Sequence, residues 1–142
     1  MLQRVSPVSE AEVEALLRSK DVIPTTQRVR ITQVLMTRCC HLSAEDIFKI
    51  VNSEDRQVSK ATVYNTLGLL SEKGVIRQVI ADPARVFYDP NTAPHHHIFD
   101  ESTGELVDVD ASDVQVSSLP QLPESMTLQG VDVVIRVRRS AG

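Results

Sequence analysis

The sequence predicts an α+β chain in two parts, a helical N-terminal half that ends in a β-hairpin and a smaller C-terminal half that is α/β or mostly β. Three observations predict it. Helical apolar stripes with recognisable caps recur four times before residue 75, period-two runs dominate after it, and the charge divides at residue 90. Residues 1 to 90 carry 12 basic and 11 acidic side chains, whereas residues 91 to 142 carry 3 and 8. A chain of 142 residues, 42% hydrophobic and 24% charged, suits one ordinary globular domain or two small ones.

The first helix is expected over about residues 10 to 20, where the capping box Ser9-Glu10-Ala11-Glu12 precedes Val13, Leu16 and Leu17 at helical spacing. Pro24-Thr25-Thr26 interrupts the chain. Val29, Ile31, Val34, Leu35 and Met36 then carry a second helix to about Arg38. Ser43 caps a short third helix with Ile47, Ile50 and Val51 turned inward. The fourth has the clearest ends, with Ser59 as N-cap, Gly74 as the residue beyond the C-cap and Lys73 beside the negative end of the dipole. Its apolar stripe is Val63, Leu67 and Leu70, and Lys60, Tyr64 and Asn65 lie on the other side near its start.

Two β-rich runs, residues 75 to 81 and 85 to 89, flank the turn Asp82-Pro83-Ala84. Helices followed directly by a hairpin suggest a winged helix-turn-helix, whose last helix enters the major groove of DNA by its N-terminal residues. In the second half, residues 95 to 99 and 105 to 110 are strand candidates around a turn-rich stretch. Residues 119 to 130 are loop-like. Val131, Val133, Ile135 and Val137 alternate with Asp132, Val134, Arg136 and Arg138 and form one apolar face of a final strand.

Composition excludes several classes. A net charge of −4 excludes an indiscriminate polycation, and no stretch approaches the ~18 to 20 apolar residues that cross a bilayer. No apolar signal core follows Met1. The two cysteines, Cys39 and Cys40, are adjacent, which suits neither a disulfide framework nor paired zinc ligands, so a cytoplasmic location without membrane association is expected.

His95-His96-His97 is the strongest chemical signal, since it holds three of the four histidines. In a strand, His95 and His97 share a face and His96 takes the other. Two imidazoles on one face can share a transition metal, with Asp89 or Asp108 completing a mixed nitrogen and oxygen shell; the bland alternative is a solvated polar strand. A four-residue loop would set Asp108 opposite His97, and a five-residue loop would set it opposite His96. His41 alone reads as a cap or surface residue.

Pro24-Thr25-Thr26-Gln27-Arg28, His41-Leu42-Ser43-Ala44-Glu45-Asp46, Ala61-Thr62-Val63-Tyr64-Asn65-Thr66-Leu67 and the histidine triplet occur in an order and spacing that resembles the ferric uptake regulator (Fur) family. Residues 89 to 94, 103 to 108 and 131 to 136 look most like its iron response regulator (Irr) branch. The resemblance implies an N-terminal winged-helix DNA-binding domain, residues 1 to 90, and a dimerisation and metal- or haem-sensing module, residues 91 to 142. It implies a homodimer on an inverted-repeat operator in double-stranded DNA. By the same resemblance His41, Asp89, His95, His97 and Asp108 form one metal shell, suited to Fe(II) or Mn(II) with zinc acceptable on purification. Haem would use His95, His96 and His97.

The two CxxC pairs that hold a structural zinc in many relatives do not match, because the first falls on Asp100 and Thr103, and no structural zinc held by four cysteines is expected. DNA contacts are expected from Arg28, Lys60, Thr62, Tyr64, Asn65, Arg77 and Arg85. The function so implied is a non-enzymatic regulator, a repressor of iron-homeostasis genes. Its rivals are a peroxide sensor with Fe(II) at the same residues and a small metal-dependent hydrolase, which no nucleophile motif supports.

Overall fold

The computed structural model describes residues 8–37, 41–53, 58–82 and 84–140, and the chain divides into two compact units, residues 1–92 and 93–142. Cys39, Cys40 and Pro83, with the turn expected around it, lie outside or partly outside the described residues.

In the first unit the helices are α1 (Glu10–Ser19), α2 (Thr26–Thr37), α3 (Ala44–Val51) and α4 (Lys60–Glu72). The caps are where the sequence expects them. Ser9, Ser43 and Ser59 each accept the amide three residues on, at 3.1, 3.2 and 3.1 Å, and Asp46 closes a capping box on the Ser43 amide. Such caps each contribute about 0.5–2 kcal/mol. Gly74 has φ +75°, and the Val75 amide bonds back to the Leu70 carbonyl, a left-handed helix end that glycine adopts without steric cost. Val13, Leu17, Ile31, Leu35, Ile47, Val63, Leu67 and Leu70 are almost wholly buried, and Ile50 packs at the margin rather than inside.

Strands β2 (Arg77–Asp82) and β3 (Arg85–Asp89) form the antiparallel wing. A two-residue strand, β1 (Leu42–Ser43), pairs with β3 through Leu42 opposite Tyr88 and Ser43 opposite Phe87, giving sheet order β1-β3-β2. The sequence reading treats this stretch only as the approach to α3, because two residues carry no periodicity.

The second unit is the mostly β form. Strands β4 (His95–Asp100) and β5 (Glu105–Asp110) are antiparallel, and β6 (Val134–Val137) runs parallel to β4, in the order β5-β4-β6. A single 3-10 turn, Ala111–Asp113, begins the long connection to β6. The final strand is shorter than residues 131–137, and its expected apolar face is only partly covered among the described residues: Ile135 and Val137 are each 39% exposed.

Candidate metal centre and nucleic-acid interface

His41 precedes β1 and Asp89 ends β3, so the register that sets Leu42 opposite Tyr88 brings the two side chains together at one edge of the sheet. His41 Nε2 lies 2.9 Å from Asp89 Oδ2, with both side chains buried, and the Asn91 amide donates to Asp89 Oδ1 at 2.9 Å. A buried carboxylate therefore faces a buried imidazole through one oxygen and is oriented by backbone through the other. The sequence alone reads His41 as a cap; in the structure it is buried and faces Asp89.

In the second unit the loop between β4 and β5 spans four residues, 101–104, with Gly104 at φ +76°, and it sets His97 opposite Asp108. His95 and His97 share a face, their ring centroids 4.6 Å apart. Both Nε2 atoms converge on one oxygen, Asp108 Oδ1, at 3.1 and 3.4 Å. His95 Nδ1 sits 2.6 Å from the Ala93 carbonyl, which only accepts, so Nδ1 carries the hydrogen. With Nδ1 engaged by that carbonyl, Nε2 is the His95 atom left to face the carboxylate, and imidazole with carboxylate is a donor set that first-row divalent ions accept. The residues present fit a metal.

His96 behaves differently. Its Nδ1 accepts the Val133 amide at 3.1 Å, which leaves the hydrogen of the neutral ring on Nε2 and ties the approach of β6 to β4. With its lone pair engaged and the residue 8% exposed, His96 serves the sheet. The triplet is not a common ligand face.

The N-terminal turn of α4 presents Lys60, Thr62, Tyr64 and Asn65. Tyr64 is 48% exposed and Asn65 is exposed. Thr62 is committed to the cap, its Oγ1 2.9 Å from Ser59 Oγ. Lys60 Nζ lies 2.7 Å from Glu45 Oε1, and this bond holds the Glu45 carboxyl below its ordinary range. Arg28 donates through Nη1 to the Ile23 carbonyl at 3.0 Å. Arg28, Thr62 and Asn65 line one concavity of about 320 Å³ with Thr25, Gln27 and Thr66. Tyr64 and Arg85 line another, of about 500 Å³, whose wall includes Glu45, Asp46, Lys49 and Tyr88. Arg77 and Arg85 are apart: Arg85 opens β3 opposite Asp82 at the tip of the wing, and Arg77 starts β2 opposite Asp89 at its base. Gln27, Lys49 and Glu45 escape the sequence reading, although Gln27 lies inside the motif that singles out Arg28.

The sequence profile of the ferric uptake regulator family matches residues 19–135. The chain belongs to the ferric uptake regulator family. Fur-family proteins are metal-responsive, DNA-binding transcriptional regulators. The chain is 29% identical over 113 residues to a peroxide-responsive repressor of Staphylococcus aureus, covering 80% of this chain and 75% of that protein. Among solved structures, a Pseudomonas aeruginosa ferric uptake regulator with manganese superposes with a TM-score of 0.69 at 23% identity, covering 90% of this chain and 98% of that one. A Campylobacter jejuni peroxide stress regulator does so at 0.63 and 18%, covering 92% and 96%.

Against the Fur pattern, the position of the first CxxC pair holds an ion pair. Asp100, 7% exposed, accepts Arg139 Nε at 2.7 Å and the amides of Ser102 and Thr103 at 2.9 and 3.3 Å, and these bonds, Arg139 foremost, keep its carboxyl below the ordinary range. No helix among the described residues is long and apolar enough to cross a membrane.

Proposed function

We propose that this Fur-family chain is a cytoplasmic homodimeric repressor of iron-homeostasis genes that binds an inverted-repeat operator when Fe(II) or Mn(II) occupies a shell of His41, Asp89, His95, His97 and Asp108. The observation that carries it is the pair of imidazole–carboxylate sets, His41 with Asp89 and His95 and His97 with Asp108. Connectivity supports joining them, since only residues 90–94 separate Asp89 from His95. A bound divalent ion supplies positive charge that several anionic and lone-pair donors can share. These residues would then hold the reading unit and the dimer module at one angle, and metal would shift the population only as far as it prefers that geometry.

On DNA, Tyr64 would touch thymine methyls or sugar edges, Asn65 a base edge or phosphate, and Arg28, Lys60, Thr62 and Arg85 the backbone. Arg77, at the base of the wing, is the weakest member of the proposed contact set. Membership of the Irr branch rests on the segments around the histidines and β6; haem would then have to displace metal at His95 or His97, because His96 is engaged by Val133.

Titration calorimetry with Mn(II) tests the shared shell. His41→Ala is expected to lower affinity at least tenfold, although fifty-three residues separate it from His95 in sequence, and His96→Ala to bind as wild type. Equal affinity in wild type and His41→Ala would leave only a local site on β4 and β5.

The staphylococcal relative favours a second reading, peroxide sensing. Peroxide with Fe(II) would insert one oxygen at a ring carbon of His41 or His95 and release water. Loss of operator binding after peroxide with Fe(II) but not Mn(II), together with that mass gain, would select it.

A further inference from the structure

Thr66, on α4, is only 6% exposed, yet its hydroxyl has no hydrogen-bond partner among the described residues. A helical threonine can satisfy that hydroxyl on the carbonyl four residues back, as Thr32 does on Arg28 at 2.7 Å. Thr66 does not. It lines the concavity of about 320 Å³ that the start of α2 and the first two turns of α4 form, with Thr25, Gln27, Arg28, Thr62 and Asn65. Leaving a buried hydroxyl unpaired is costly, and a ligand seated in this concavity would remove the cost.

The charge of the lining says which ligand. Among the described residues it holds one guanidinium, hydroxyls and amides, and no carboxylate. Arg28 gives Nη1 to the Ile23 carbonyl at 3.0 Å, a bond that orients the guanidinium and uses one of its five N–H groups. Helices α1 and α3 carry acidic residues in their first turns, Glu10 and Glu12 in one and Glu45 and Asp46 in the other. Helices α2 and α4, which border the concavity, carry none there, so the positive ends of their dipoles are not offset by an acid of their own first turns.

We propose that this concavity seats one phosphodiester group of each operator half-site, the Thr66 hydroxyl donating to one of its oxygens and the Arg28 guanidinium to another. The inference rests on α4 being the reader and deepens it, adding Thr66 as a ligand and placing Thr66 and Arg28 on the same phosphate. Such a contact carries no sequence information by itself. It fixes the register at which Tyr64, half a turn before Thr66, meets the bases.

The test uses the full-length Mn(II)-loaded protein, a duplex selected by wild type from a random pool, and fluorescence anisotropy. Thr66→Val exchanges the hydroxyl for a methyl group of similar size. It is expected to weaken binding roughly fivefold or more with unchanged salt slope and thermal midpoint, whereas Thr66→Ser, which keeps the hydroxyl, binds as wild type. Thr66→Ala gives the same comparison if valine lowers the midpoint. Replacing one phosphate in each half-site by an uncharged methylphosphonate, position by position, then locates the seat. At one position the replacement should weaken wild type and absorb most of the further loss from Thr66→Val, and the loss from Arg28→Ala should shrink most at that same position. Undiminished binding by Thr66→Val, a loss that persists on every substituted duplex, or losses from the two variants that are absorbed at different phosphates would overturn the proposal. A Tyr64→Ala protein with undiminished preference for the selected duplex over its scramble would instead overturn α4 as reader, and the inference with it.

Discussion

The two units keep their interiors in different ways. In the first, seventeen buried apolar residues among those described form one cluster running from Val13 to Tyr88. In the second, the buried apolar residues among those described are Phe99 and Leu106, accompanied by four buried polar ones, His95, His96, His97 and Asp100. Meanwhile Val107, Leu119, Leu122, Met126, Leu128 and Ile135 stand exposed. The first unit has an apolar core of its own; the second buries mostly polar side chains and leaves several large apolar ones exposed. Charge follows the same division. The second half carries 3 basic and 8 acidic side chains, a balance that disfavours a polyanion, whereas the first half is nearly neutral with 12 and 11.

The largest expected effect sharpens that contrast. Leu67, fully buried on α4, should cost about 2–5 kcal/mol as Leu67→Ala, read as a lower thermal midpoint of the first unit. Ile135→Asp on β6 should leave that transition in place and move the protein from dimer to monomer in sedimentation. A dimer that survives Ile135→Asp would break the comparison, because the exposed face of β6 would then have no part in assembly.

A smaller effect concerns the wing. Arg85→Ala should reduce the slope of log affinity against log salt by about 0.9, the loss of one phosphate contact, whereas Arg77→Ala at the wing base should leave the slope close to wild type. Equal losses would mean that DNA runs along the whole hairpin.

The smallest lies in the second unit. Arg139 holds the Asp100 carboxyl below its unfolded value, so the pair's contribution is complete above about pH 3.9 and is lost as pH falls through the lower folded value. Arg139→Ala should be less stable than wild type near neutrality, and the difference should shrink in acid melts below that range. A constant difference would assign the loss to Arg139 packing.

Much of the first unit was legible because its signals are local. Serine caps, the left-handed Gly74 and the stripe Val63, Leu67 and Leu70 each depend on residues within a few positions. What escaped depends on partners distant in sequence. β1 exists because Leu42 meets Tyr88. The loop length that sets Asp108 against His97 and not His96 was one of two readings left open by the sequence. His96 gave no sign of its bond to Val133, thirty-seven residues later, and the alternation at residues 131–137 revealed a strand but not that Ile135 and Val137 would stay partly exposed. In the candidate site, the pairing of His95 and His97 was visible from period two, and His41 became a candidate only through resemblance.

The parallel placement of β6 has a consequence for the order of events during synthesis. β4 lacks its second neighbour until residues 134–137 have been made, and the bond between His96 and the Val133 amide closes a loop of more than thirty residues. Closing such a loop costs entropy that only the finished strand repays, so this step follows the local contacts of the helices. A nascent chain therefore passes through a stage in which α4 is complete while the strand bearing His95 and His97 still lacks one of its two neighbours.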